Sequence, residues 1–210
     1  MTEPASRIPL ALKIVFTTYM AVHLPVYWIK YGPTNFLYFC DVALILTLLA
    51  IWPESPLLVS MACVGILVPQ AVWIADFFAH LAGFRLTGIS DYMFDPAFPL
   101  WLRLFSSFHG WLPFLLIYLV WRLGYDPHAF WLWTVLAWAL LLICFFFMPP
   151  PTPNPGLQPV NINYVWGLSD HAAQPWVSPY VWLAGLMIGL PLFAFAPVHF
   201  LLARFAPKAV

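Results

Sequence analysis

Charge is what this chain has least of. Only 8% of its 210 residues are charged, eight basic against eight acidic, for a formal net charge of zero. A soluble domain carries about 25% charged residues. A water-facing surface cannot be made from so few, so most of this surface must face lipid. No basic block is present, which excludes nucleic acid as a partner. Cysteine is also scarce. Cys40, Cys63 and Cys144 lie far apart in apolar runs with no C-x-x-C pair, so they read as buried space-fillers rather than as a redox or zinc site.

Several chemical signatures are missing as well. There is no G-x-S-x-G elbow, no phosphate-binding loop, no glycine-rich dinucleotide fingerprint and no H-E-x-x-H. The histidine clusters of a di-iron membrane desaturase and a D-x-x-D acidic pair are absent too. Short alternating segments, the mark of a membrane β-barrel, do not occur.

What is present is apolar: 63% of the chain is hydrophobic, in continuous runs. At about 20 residues per crossing, the sequence predicts one all-α domain over 1–210, a polytopic membrane helical bundle of about six transmembrane helices. Their predicted spans are 9–29, 35–52, 57–81, 105–123, 128–148 and 179–205. Turns such as Tyr31-Gly32-Pro33 and Gly124-Tyr125-Asp126-Pro127 separate them. Twelve tryptophans suit aromatic belts at the two interfaces. The first apolar run has no cleavage-site pattern and reads as a retained helix.

Six crossings put Arg7, Lys13, Arg122, Arg204 and Lys208 on one side, against Lys30, Arg85 and Arg103 on the other. The bias predicts both termini in the cytoplasm of the plasma (inner) membrane. Two long irregular connections, 82–103 and 149–178, then face outward. The FPLWLRLF portion of the first suits an interfacial amphipathic piece. Elaborate loops on one side point to function there.

The stretch LVPQAVWIADFFAHL, 67–81, carries Gln70, Asp76 and His80 inside an apolar run. Ionisable residues at membrane depth are costly and mark function by default. Asp76 and His80 are four apart and share one helix face. By helical rise, His23, Asp41 and Asp76 lie roughly 8–10 Å from the outward end of their helices, with His80 and His109 within roughly 6 Å. The outward loops add Asp170 and His171.

Three readings follow. The first is a metal-dependent enzyme acting on a lipid or other amphiphile. Asp76, His80, His109 and His23 would hold a divalent transition metal such as zinc, and Asp41 or His171 would act as general base. The second is an ion- or proton-coupled transporter, although the polar residues do not continue into the cytoplasmic half. The third is a non-catalytic membrane subunit, or a protein binding haem, pigment or a hydrophobic small molecule, with the polar residues fixing helix packing. For Asn161 and Asn163 the plainer expectation is turn residues that satisfy backbone. Partners beyond the lipid bilayer and such a ligand are not specified by the residues.

Overall fold

The computed structural model describes residues 6–209. The predicted domain also takes in 1–5 and 210, which lie outside the described residues. The chain is an all-helical bundle, with no strand among the described residues beyond an isolated bridge between Tyr125 and Lys208. Five helical runs are long and apolar enough to cross a membrane: Leu10–Tyr31, Pro56–Leu81, Leu100–Leu123, His128–Phe147 and Pro179–Phe205. A shorter apolar helix, Phe39–Ile51, joins them. We number the helices α1 (Leu10–Tyr31), α2 (Phe39–Ile51), α3 (Pro56–Leu81), α4 (Leu100–Phe105), α5 (Phe108–Leu123), α6 (His128–Phe147), α7 (Pro179–Gly189) and α8 (Ala196–Phe205).

The centre of the bundle is α3, which packs against α2, α5, α6 and α8. Its start is well specified. Pro56 occupies the first turn, and the Ser55 hydroxyl accepts from the Leu58 amide at 3.4 Å. Every residue from 59 to 66 is buried, as expected of a helix surrounded on all sides. Gly65 is there for contact, since a Cβ would collide with the Trp133 ring of α6. Trp133 is itself fully buried.

Helix α2 starts later than its apolar run predicts. Instead of one helix over 35–52, a 3-10 turn covers Pro33–Leu37 and Tyr38 is extended before α2 begins at Phe39. The break is clamped from the second long connection. Asn163 accepts from the Phe39 amide at 3.1 Å and donates to the Leu37 carbonyl at 2.9 Å. A long-range side chain thus supplies the hydrogen bonds that a continuous helix would have made internally. The fourth predicted helix, 105–123, begins at Phe108 as α5, and the FPLWLRLF stretch before it forms α4, separated from α5 by a turn at Ser106 and Ser107.

Two faces close the bundle. On the terminal face, Glu54 gathers the start of the chain. Its carboxylate accepts from the Arg7 amide at 2.9 Å, the Ile8 amide at 3.0 Å and the Ser6 hydroxyl, and it pairs with Lys13 at 2.8 Å. Arg122 donates to the Arg7 carbonyl at 2.8 Å, and the Tyr125 amide donates to the Pro207 carbonyl at 2.7 Å. Both ends of the described chain therefore meet on this face. The opposite, loop face carries connections 82–99 and 148–178. The second turns tightly at Asn161, Asn163 and Tyr164, each with positive φ. Asparagine tolerates that region better than most side chains.

The last crossing is the most exposed. It widens into a π-turn at Leu190–Phe195, where Pro191 supplies no amide hydrogen, before continuing as α8. Phe193 and Phe200 point outward from it.

Candidate functional site

Asp76 and His80 do share one face of α3, and that face grips a loop. Asp76 Oδ1 accepts from the Thr87 amide at 2.5 Å, the Thr87 hydroxyl at 2.9 Å and the Gly88 amide at 2.9 Å. Its Oδ2 accepts from the Ser90 amide at 2.9 Å and the Ser90 hydroxyl at 2.6 Å. One turn further on, His80 Nδ1 lies 3.2 Å from Asp91 Oδ1, and its ring stacks on Phe94 at 3.9 Å between centroids. Arg85 binds the other Asp91 oxygen at 2.5 Å. Five donors on one carboxylate fill its lone pairs. The arrangement anchors residues 87–91 to the end of α3.

A second cluster joins α1 to α2. His23 is fully buried and Asp41 is 3% exposed. His23 Nε2 faces Asp41 Oδ1 at 3.5 Å, and Asn35 donates to Asp41 Oδ2 at 3.1 Å. The other ring nitrogen, Nδ1, is 3.0 Å from the Tyr19 hydroxyl, which also lies 3.1 Å from the Phe105 carbonyl. Tyr19 has a single hydrogen to give to one of these two. The Tyr27 ring lies tilted against His23 with centroids 3.9 Å apart, and its hydroxyl shares a hydrogen bond with Ser106 at 2.7 Å. This cluster is sealed, not open.

The third group lies between α3 and α5. His109 Nδ1 donates to the Ser106 carbonyl at 2.8 Å, and its ring stacks on Trp73 at 5.1 Å. Gln70 sits one turn before Trp73 on α3. Gln70 is 2% exposed and Trp73 7%. Gln70 Oε1 and Trp73 Nε1 are both buried and both lack a hydrogen-bond partner. Tyr92, from the anchored loop, lies beside Trp73 and Ser106, but not in bonding geometry with the Trp73 N–H.

The residues predicted to share one metal are thus divided. Asp76 and His80 hold the 87–91 loop, His109 stacks on Trp73, and His23 pairs with Asp41. No group of three or more His, Cys, Asp or Glu among the described residues is arranged to hold a metal ion. The physical reason is competition: backbone amides and hydroxyls of the folded loop already occupy Asp76. His23, for its part, has both ring nitrogens engaged within the protein, which disfavours it as a haem ligand. Asp41, predicted as a general base, serves His23 and Asn35 instead.

His171 stays exposed in the second connection, with Nδ1 3.2 Å from the Pro153 carbonyl. Its neighbour Asp170 has a buried Oδ1 without a partner, and burial pushes that carboxyl above its ordinary value. Asn161 donates to the Gly167 and Ser169 carbonyls, so it shapes its own loop, while Asn163 reaches across to α2. Two surface clefts, of about 390 Å³ by Tyr125 and Lys208 and about 420 Å³ by Phe145 and Trp166, are lined by none of the predicted site residues.

Gln70 and Trp73 are the residues that reasoning from ionisable groups alone passes over. The available signal was an amide in an apolar run, which costs free energy in hydrocarbon just as a charge does. No family model, curated protein or solved structure matches this chain.

Proposed function

We propose that this is a non-catalytic, membrane-embedded binding protein for an amphiphile, set in the plasma (inner) membrane with both termini cytoplasmic and the two long connections outward. The observation that carries the reading is the pair of buried, unpartnered polar atoms on adjacent turns of α3, Gln70 Oε1 and Trp73 Nε1, beside His109. Leaving one such atom buried and unpaired costs on the order of 1–3 kcal/mol in folded proteins, and more where the surroundings are hydrocarbon. A ligand that satisfies both recovers that free energy on binding. The membrane-depth carboxylates Asp41 and Asp76 are already engaged by the fold, which suits a rigid binding scaffold better than a reactive centre. A metal-dependent mechanism draws no support from this arrangement, because Asp76 would have to release five donors before it could bind an ion.

The test is chemical analysis of what travels with the protein. Purified in mild detergent and extracted with organic solvent, the wild type should carry an amphiphile at near one per chain by mass spectrometry. Gln70→Leu and Trp73→Phe, which keep the packing volume, should lose most of it. An extract identical to that of an unrelated membrane protein purified alongside would overturn the reading.

A further inference from the structure

The cleft of about 420 Å³ lies where α6 ends and α7 begins, on the loop face. Four of its seven lining residues are aromatic, Phe145, Phe146, Trp166 and Tyr180; the others are Met148, Pro150 and Pro179. The rings do not form one flat stack. Against Phe145, Trp166 is nearly parallel at 14° with centroids 4.5 Å apart, Tyr180 is inclined at 56° and 5.5 Å, and Phe146 is close to perpendicular at 87° and 5.1 Å. Aromatic faces carry negative partial charge, and walls set at several angles present it from more than one side. The side-chain N and O atoms on these walls are the Tyr180 hydroxyl and the Trp166 N–H, the latter buried without a partner. Both groups are neutral, so neither sets the sign of a ligand's charge.

We infer that this cleft binds a quaternary ammonium group, the trimethylammonium of a choline headgroup or of a free choline-like solute, held by cation–π contact with its aromatic walls. Such a cation suits ring faces, because its charge is spread over methyl groups that need no hydrogen-bond acceptor. The charge around the cleft agrees. Residues 123–203, which include α6, α7 and the whole connection between them, contain no Lys or Arg. The loop-face cations lie on other elements and are engaged there: Lys30 over the Trp101 ring, Arg85 on Asp91 and Arg103 on the Met93 carbonyl. His171 is exposed, sits on the Pro153 carbonyl and does not line the cleft. A phosphate or carboxylate in the cleft would therefore meet no fixed cation. The last carbonyls of α6 add partial negative charge beside it, while the opposing first turn of α7 is capped by Ser178, whose hydroxyl accepts from the Val181 amide at 3.3 Å. The one carboxylate of the connection is Asp170. Its backbone carbonyl accepts from the Thr152 amide at 3.0 Å, two residues past Pro150, and its buried Oδ1 has no partner. Ionised, Asp170 attracts a cation and repels an anion; protonated, it leaves the sign to the rings. This site is separate from Gln70 and Trp73 on α3 and does not depend on the reading given for them.

The experiment titrates the full chain in dodecyl maltoside with choline and with 3,3-dimethyl-1-butanol, the neutral carbon counterpart of the same shape. Binding is read by ligand-observed saturation-transfer NMR. We expect choline to bind roughly tenfold more tightly than the neutral probe. Phe146→Leu and Tyr180→Leu, at positions 59% and 67% exposed, should each cut that preference to roughly threefold or less, and Tyr180→Phe, which keeps the ring, should retain it. Equal binding of the two probes by the wild type overturns the inference and leaves the cleft to an acyl chain. No binding of either probe also overturns it, as does an undiminished preference in both leucine variants. If one leucine variant fails to fold, the other decides. A third probe, dihexanoyl phosphatidylcholine, names the source of the group. Bound more tightly than choline, it makes the occupant a lipid headgroup; bound no more tightly, it makes the occupant a free solute. Gln70→Leu should leave the choline preference unchanged, and its loss there would place the cation at α3 and overturn the inference.

Discussion

Glu54 is the clearest case of one residue organising a face. It sits at positive φ in a four-residue turn between α2 and α3 and receives Lys13, two backbone amides and a hydroxyl from the start of the chain. Burial works to raise its carboxyl, but Lys13, Ser6 and the Ile8 and Arg7 amides outweigh it and hold the group at about 2, against an ordinary value of 4.5. A carboxyl depressed in the folded state stabilises the fold when ionised. Its contribution is complete above about pH 4.5 and disappears as the pH falls through about 2. Acid unfolding in detergent should therefore steepen across that window. Glu54→Gln should flatten it and lower stability at neutral pH by about 1–2 kcal/mol. Thermal melts of the two proteins between pH 2 and pH 7 check this; parallel profiles would show that Glu54 is not the titrating group.

At the scale of elements, the end of α3 and the 87–91 loop are one unit joined through a single carboxylate. Asp76→Asn is nearly isosteric, yet it replaces an oxygen acceptor with an NH2 donor, so either Ser90 or the Thr87–Gly88 pair faces a donor. The expected cost is about 2–4 kcal/mol. Its signature is local: hydrogen exchange in peptides covering 84–95 should accelerate at least tenfold, while peptides from α1 stay unchanged. Uniform protection would mean that other contacts hold the loop. Much of this unit was legible in the sequence. Spacing alone put Asp76 and His80 on one face, and their cost in hydrocarbon required partners. The identity of the partners was not legible, because Thr87, Gly88 and Ser90 act mainly through backbone amides, which every residue but proline possesses. The same limit explains α2. Its apolar run looks continuous from 35 to 52, and the break at Tyr38 depends on Asn163, more than a hundred residues away, which local pattern cannot reveal. His23 and Asp41 were placed at one depth by counting residues, and they do meet. His109 has a similar depth but a different rotation, and rotation is set by packing.

For the whole molecule, α2 poses the question of how many times the chain crosses. Its 13 residues give roughly 20 Å of helix, short of the ~30 Å hydrocarbon core. The preceding 3-10 turn of five residues adds roughly 10 Å at about 2 Å per residue, which brings the segment to crossing length. Its ends are also tied to opposite faces, Leu37 and Phe39 to Asn163 on the loop face and Glu54, just past α2, to Lys13 and Arg7 on the terminal face. The length and the two ties suit a crossing, for six in all. Single cysteines introduced into a variant lacking Cys40, Cys63 and Cys144 can test this with a membrane-impermeant maleimide on intact cells. Ala97→Cys and Ala172→Cys on the loop face should label together. Pro53→Cys, His128→Cys and Lys208→Cys should label only after the cells are opened. Pro53→Cys is the decisive position. Labelling with the loop-face set would mean that α2 turns back within the bilayer, and the sidedness of everything before α3 would then need to be redrawn, while the α3 site at Gln70 and Trp73 would keep its place.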